Sequence, residues 1–285
     1  MIYFCADDYG ISACGNVCIE DCLRAGVLNK VSIIPNGEIT EFRERLAEYN
    51  AKLSLHINLV EGRPLSETGE VSLLISETGC FKYSFPGLLI RSLLPGRKML
   101  EKQVYKEIRS QIQFWKKAMG EDAEVSIDSH QHTHMIPLVF RALMRVIEDE
   151  GLNVENIRIP AEPILPHLLA PSLYLKYKPL GLVKQWVLKI LAFANRKKTA
   201  KVKIQSAYFM GAMFSGEMDE AKIKKLLPHY LKLAEKNNKN IEIGFHPGYL
   251  KDGGKLMDGS RKSFAKFYFS SWREKEYNTL LNFKF

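Results

Sequence analysis

The sequence lacks any uninterrupted apolar run long enough to cross a bilayer. Its most apolar region, residues 163–194, is broken by Pro166, Pro171, Pro179 and several lysines, whereas a membrane-spanning helix needs about 20 consecutive apolar residues. No basic segment followed by an apolar one precedes Asp7, so no secretory signal is expected. We therefore expect a cytoplasmic protein without a membrane span.

Cysteine is scarce, with five residues in 285. Cys14, Cys18 and Cys22 follow one another at steps of four, which places them on one face of a helix. Metal-binding thiolates usually come as close pairs from turns, so this stripe is better explained as small side chains that pack a helix against a sheet. An odd number of cysteines without a secretory signal indicates reduced thiols.

The sequence also contains no nucleic-acid-binding motif, although basic residues outnumber acidic ones by 41 to 32. Part of the excess lies at residues 196–198, Lys201 and Lys203, without interleaved aromatic residues. A solvated basic face is therefore favoured over a nucleic-acid site. A phosphorylated substrate and a module that binds membrane surfaces stay open as alternatives.

Apolar segments alternate with helical patterns along the chain, which predicts a parallel α/β sheet covered by helices. About seven strands in 285 residues indicate a single (β/α) barrel-like domain over residues 1–285. The barrel is either complete or a distorted, incomplete version. A less regular insertion is expected at about residues 160–203. Strands are predicted at residues 2–6, 31–34, 53–59, 125–128, 157–159, 207–211 and 241–245.

Within the insertion, apolar residues recur at helical spacing. This stripe predicts a helix that either covers the barrel or forms a contact in a homodimer. It consists of Leu182, Val183, Trp186, Val187, Ile190 and Leu191.

Acidic residues and histidines cluster where predicted strands end. Asp7 and Asp8 follow the first strand, and a turn helped by Gly10 can bring both carboxylates into one pocket; taken alone, the pair also fits a helix cap. His56 and His246 lie at the ends of two other strands. In a parallel barrel these ends meet at one face, which carries the active site in enzymes of this architecture.

The segment from Asp128 to His134 contains three histidines at every second position. In an extended conformation Asp128, His130, His132 and His134 would share one face, and such a polar row is hard to explain as core packing. Histidine is the commonest side-chain metal ligand, and carboxylates often orient it from behind. The segment therefore predicts a metal or catalytic site.

Taken together, these motifs resemble those of the YdjC-like carbohydrate deacetylases, the group that includes chitooligosaccharide deacetylase. The matching segments occur in the family's order and include Arg158. They are Ala6-Asp-Asp-Tyr-Gly10, Leu55-His-Ile-Asn58, Glu61-Gly-Arg-Pro-Leu65, Asp128-Ser-His-Gln-His-Thr-His134 with Pro137, and Phe245-His-Pro-Gly248.

The resemblance implies a barrel-like fold and one divalent ion, usually magnesium, held by Asp8, His56 and His130. A more distant resemblance to polysaccharide deacetylases implies that Asp7 is the general base, Arg158 its orienting partner and His246 the general acid. On ligand softness alone, one carboxylate and two imidazoles suit zinc or another transition metal, whereas magnesium prefers oxygen ligands. The identity of the metal, magnesium or a transition metal such as zinc, is left undecided by the sequence.

We therefore expect a metal-dependent hydrolase that removes acetyl groups from N-acetylated sugars or oligosaccharides. The alternatives are another metal-dependent barrel hydrolase, such as a phosphoesterase or amidohydrolase, and a non-catalytic carbohydrate-binding protein. Two features differ from the pattern expected of the family. The segment at residues 160–203 is longer and more basic, and the C-terminal part is shorter.

Overall fold

The structure, a computed structural model, describes residues 1–199, 207–248 and 255–283. Strands and helices alternate through most of the described chain. The strands are β1 (Ile2–Tyr9), β2 (Lys30–Ile33), β3 (Lys52–Ile57), β4 (Val125–Ser129), β5 (Val154–Ile157), β6 (Tyr208–Met210) and β7 (Ile241–Phe245).

The seven strands form one parallel sheet in the order β5-β4-β3-β2-β1-β7-β6. Phe4 of β1 lies opposite Ile243 of β7, and Leu55 of β3 lies opposite Ile127 of β4. The sheet curls into a half-barrel whose two free edges are β5 and β6. The predicted incomplete (β/α) barrel is confirmed, whereas its organisation as one domain stays a prediction.

Helices connect the strands and cover the outside of the sheet. Several begin at residues that favour a helix start, since Ser12 and Asp219 accept hydrogen bonds from the first turns of their helices and Pro137 opens another. The helices are α1 (Ala13–Arg24), α2 (Phe42–Ala47), α3 (Phe85–Leu93), α4 (Arg97–Met119), α5 (Pro137–Asp149), α6 (Ile164–Leu168), α7 (Pro179–Thr199), α8 (Glu220–Lys236), α9 (Lys262–Tyr268) and α10 (Ser271–Asn282).

The cysteines of α1 pack as the sequence indicates. Cys18 and Cys22 are buried, and Cys22 belongs to the main hydrophobic core. The fifth strand, Val154–Ile157, begins three residues earlier than predicted and ends two residues earlier. The chain leaves the sheet at Arg158, although the N–H of Arg158 still donates to the carbonyl of Ile127.

The predicted insertion contains α6, a 3₁₀ turn at Pro171–Lys176 and α7. The face that α7 packs inward carries Leu188 and Leu191, which contact Met135 and Phe209. Most of the predicted apolar stripe instead points outward, so the interpretation as a covering face is wrong for those positions. Lys201 and Lys203 lie outside the described residues. No helix of the described chain is long and apolar enough to span a membrane.

Candidate metal and catalytic centre

The C-terminal end of β1 is bent so that two successive carboxylates enter the barrel. Asp8 has a φ of 70°, in the left-handed region, and the pairing of β1 with β2 shifts register between Ala6 and Tyr9. This bulge breaks the alternation that would otherwise send neighbouring side chains to opposite faces. Asp7 and Asp8 are consequently both buried, as the sequence predicts.

Asp8, His56 and His130 lie together, with one ligand-capable atom of each within 4.8 Å of the others. Oδ1 of Asp8 is 2.7 Å from Nδ1 of His130 and 3.5 Å from Nε2 of His56. Two atoms that bind one ion at about 2.1 Å lie roughly 3.0 to 3.4 Å apart at octahedral or tetrahedral angles. The two observed separations lie just outside this range on either side, so small shifts of the side chains would let the three residues hold a single divalent ion.

Two further side chains hold this group in place. Nδ1 of His56 donates to Oδ1 of Asp128 at 2.7 Å, which leaves Nε2 directed at Asp8. Arg273 donates from Nη1 and Nη2 to Oδ2 of Asp8, each at 3.1 Å. Such hydrogen bonds from behind fix the orientation of metal ligands.

The same contacts determine the charges of the group. Burial acts to lower the pKa of His56, but the carboxylates of Asp128, Asp8 and Asp7 together raise that pKa to about 10, so an ion that binds Nε2 would displace its proton. For Asp8, burial acts to raise the pKa, and His130, His56 and Arg273 together hold it well below its ordinary value. Asp8 is thus an anion, the form in which a carboxylate binds metal.

Asp7 lies beside this group and is paired with Arg158. The guanidinium donates to Oδ2 of Asp7 at 2.6 Å and to Oδ1 at 2.9 Å, a two-pronged contact between buried groups. Arg158 also contacts Glu242 and Asp128. Burial tends to raise the pKa of Asp7, but the Arg158 charge holds it well below the ordinary value. Asp7 stays ionised.

His246 lies at the opening of the centre, at the end of β7. Its Nε2 is 3.9 Å from Oδ2 of Asp7, and its side chain is 17% exposed, whereas Asp7 and Arg158 are almost completely buried. Oε2 of Glu276 accepts the backbone N–H of His246 at 2.5 Å and lies 3.6 Å from its Nδ1. His246 is therefore the most exposed side chain of this group, with Asp7 on one side and Glu276 on the other.

The shared face predicted for Asp128, His130, His132 and His134 is wrong, although His130 does reach the centre. The chain turns into a 3₁₀ segment at His130–Met135, with Gln131 and His132 at φ of 54° and 59°. The three imidazoles consequently diverge. Burial lowers the pKa of His132, which packs edge-on against Phe209.

His134 has a structural position behind the centre. Its Nε2 donates to the backbone carbonyl of Arg158 at 2.7 Å, and its Nδ1 is 2.5 Å from Oγ of Ser129. Burial lowers the pKa of His134 to about 4. A neutral imidazole thus ties the segment that carries Arg158 to the end of β4.

The sequence did not point to Arg273 and Glu276, which reach the centre from α10. Both are fully buried, and they are three residues apart on one face of the helix. That spacing was a visible signal, but an Arg and a Glu three residues apart form exposed pairs on many helices. Only the packing of α10 over the barrel shows their position.

The chain was compared with known proteins. The family model described as "YdjC-like protein" matches residues 1–285. Among curated relatives, a carbohydrate deacetylase of Danio rerio is 32% identical over 160 residues, which cover 55% of this chain and 49% of that protein. A carbohydrate deacetylase of Clostridium beijerinckii is 30% identical over 162 residues, which cover 55% of this chain and 60% of that protein. The matched part thus spans about half to three fifths of these relatives.

A solved structure has the same fold. It is a protein of Enterococcus faecalis V583 titled a "putative cellobiose-phosphate cleavage protein", with a TM-score of 0.64 and 15% identity. The superposition covers 99% of this chain and 90% of that one. At this identity the likeness concerns the fold alone.

Proposed function

This chain belongs to the YdjC-like family, and from that premise we propose that it is a metal-dependent hydrolase that removes acetyl groups from N-acetylated sugars. One observation carries the proposal. A set of one carboxylate and two imidazoles suited to a divalent ion lies beside an ionised carboxylate, Asp7, and a partly exposed imidazole, His246. The names of the curated relatives support the same activity.

Asp8, His56 and His130 would hold the ion. The two imidazoles favour zinc or another transition metal, and the family resemblance favours magnesium. When bound, such an ion polarises an acetyl carbonyl and lowers the pKa of water.

The chain's own residues would move the protons. Asp7 would accept the proton of the attacking water, since its carboxylate is ionised beside Arg158 and lies next to the residues that would hold the ion. An amide has a poor leaving group, so the departing nitrogen must be protonated. His246 would supply that proton from Nε2, the nitrogen that faces Asp7.

The test compares Asp7→Asn with Asp8→Asn. Acetate release from N-acetylglucosamine oligomers is followed by mass spectrometry, and metal binding is followed by calorimetry. D7N is expected to bind metal but lose about 10²-fold or more in acetate release, whereas D8N loses metal binding as well. Near-normal turnover by D7N would contradict the assignment of the base.

Because D7N removes one of the three carboxylates that contact the buried Arg158, a second variant guards against misfolding. His246→Gln changes a more exposed group, keeps the Asp7–Arg158 pair and is expected to keep metal binding while losing acetate release. Asp258→Asn, in an exposed position, is the matched control and is expected to behave like the unmodified protein. The cytoplasmic location and the homodimer stay predictions.

A further inference from the structure

The outward face of α7 is apolar over about three turns. Trp186, Ile190 and Phe193 are 61%, 64% and 65% exposed, and Val183 continues the same face at 58%. The inward face of the helix is apolar as well, through residues such as Leu188. A helix that is apolar on both sides normally has both sides covered.

The segment that contains α7 is also strongly basic. From residue 163 to residue 216 the sequence has nine Lys or Arg and no Asp or Glu, so the rest of the chain has 32 of each kind. The formal charge of +9 therefore comes entirely from this one stretch. Lys176, Arg196 and Lys197 are exposed at the two ends of α7, and none forms an ion pair with a carboxylate of the described residues.

We propose that the outward face of α7 docks on the surface of a bilayer that contains anionic lipids. An apolar face with Trp and Phe, flanked by Lys and Arg, is the pattern of helices that lie in the plane of a membrane surface. Anionic headgroups attract this cluster of positive charge. A second copy of the chain on the same face would bring two such clusters together, and like charges oppose that contact.

The inner side of α7, opposite the docking face, lies against the candidate active site. On that side Leu188 packs in one cluster with Phe209, whose ring centre lies 4.9 Å from the guanidinium carbon of Arg158. Asn195 of the same helix donates to the carbonyl of Met135 at 2.8 Å, at the end of the segment that begins with His130. One side of α7 thus meets the centre, and its other side would meet the lipid. If the proposed function holds, on which this step rests, the substrate class is an N-acetylated sugar attached to a lipid.

Vesicle flotation tests the docking without any substrate. The full chain is mixed with vesicles of phosphatidylcholine alone or of phosphatidylcholine with phosphatidylglycerol. Binding to the second kind only is expected. Trp186→Ser removes one exposed side chain and is expected to weaken binding about tenfold, while Leu231→Ser, at an exposed position of α8, leaves binding unchanged.

Other outcomes would overturn the docking proposal. These are equal binding by W186S, equal binding to neutral vesicles, no binding at all, and a dimer in sedimentation that W186S converts to a monomer. The emission of Trp186 should shift to shorter wavelength on binding, and Trp186→Phe should bind but lose that shift. An unshifted emission would place the face outside the lipid.

Measurements of acetate release distinguish an effect on membrane docking from an effect on the deacetylation reaction. W186S is expected to release acetate more slowly than the unmodified protein from an N-acetylglucosaminyl lipid in anionic vesicles, and at an equal rate from the soluble sugar. Equal rates on both substrates would overturn the lipid-linked substrate class. Vesicle binding without acetate release from any sugar would contradict the proposed function and leave the docking intact.

Discussion

Asp128 and His56 form a buried pair in which Oδ1 of the carboxylate lies 2.7 Å from Nδ1 of the imidazole. The two residues lie opposite each other on neighbouring strands, β4 and β3. The register of the sheet therefore sets the contact directly. It fixes the ring so that Nε2, the nitrogen nearest Asp8, is the one available to an ion.

Asp128→Asn is expected to weaken metal binding by about 10- to 100-fold, because the amide orients His56 less firmly and does not increase its basicity. Calorimetric titration with zinc and with magnesium measures the change. Glu124→Gln, at an exposed position just before β4, is the matched control. Unchanged affinity in D128N would show that the pair does not support an ion.

Glu276→Gln is expected to lower kcat for the N-acetylated sugar about tenfold with little change in KM, because His246 loses the carboxylate 3.6 Å from its Nδ1. The two carboxylate oxygens accept the backbone N–H groups of His246 and Met218, and the amide oxygen can accept only one of them, so thermal unfolding is measured to check that the fold is kept. Steady-state kinetics measure the effect. The same loss in a His246→Gln background would mean that Glu276 acts on something other than His246.

The stability of the protein should depend on pH through His134. Its pKa is about 4 in the folded chain and about 6.5 when unfolded, so the unfolded chain binds more protons between these values. The contribution of His134 to the free energy of unfolding is at its maximum above pH 6.5. It falls by up to about 3 kcal/mol as the pH drops to 4. Urea unfolding at several pH values measures this slope.

His134→Gln should show a flatter dependence of unfolding free energy on pH over that range, whereas His229→Gln, on α8, should keep the original slope. Identical slopes for H134Q and the unmodified protein would contradict the role of His134.

Glu162→Gln should lower the free energy of unfolding by about 1–3 kcal/mol. Oε1 of Glu162 accepts from the backbone N–H groups of Gly211 and Ala212 at 2.7 and 2.5 Å, and from Met213 at 3.2 Å. An amide oxygen is a weaker acceptor than a charged carboxylate for three donors. Urea unfolding compares E162Q with Glu235→Gln, an exposed control on α8.

Much of the fold follows from apolar periodicity, because strands and helices that bury one or both faces repeat at distinct intervals. The strand that delivers His246 was predicted at its observed bounds, Ile241–Phe245. The strand before Arg158 was displaced, since Val154–Ile157 has only four residues, two of them polar. Short, mixed segments carry little periodic signal.

Some residues of the candidate site could be predicted from the sequence and others could not. Asp8 and His56 lie at the ends of their strands and His130 directly follows one, and these ends must meet in a parallel sheet, so their proximity could be inferred. The divergence of His132 and His134 depends on left-handed backbone at Gln131 and His132, which non-glycine residues adopt rarely. The contact of Arg273 with Asp8 joins residues 265 positions apart and depends on tertiary packing.

The free edges of the sheet have one more consequence. Glu162 follows β5, and the amides that it binds follow β6, so a single carboxylate joins the two margins that strand pairing leaves apart in the described chain. The distance between these two edges therefore depends on one side chain as well as on strand pairing. Exchange of Glu162 would let the edges move relative to each other without breaking a hydrogen bond between strands.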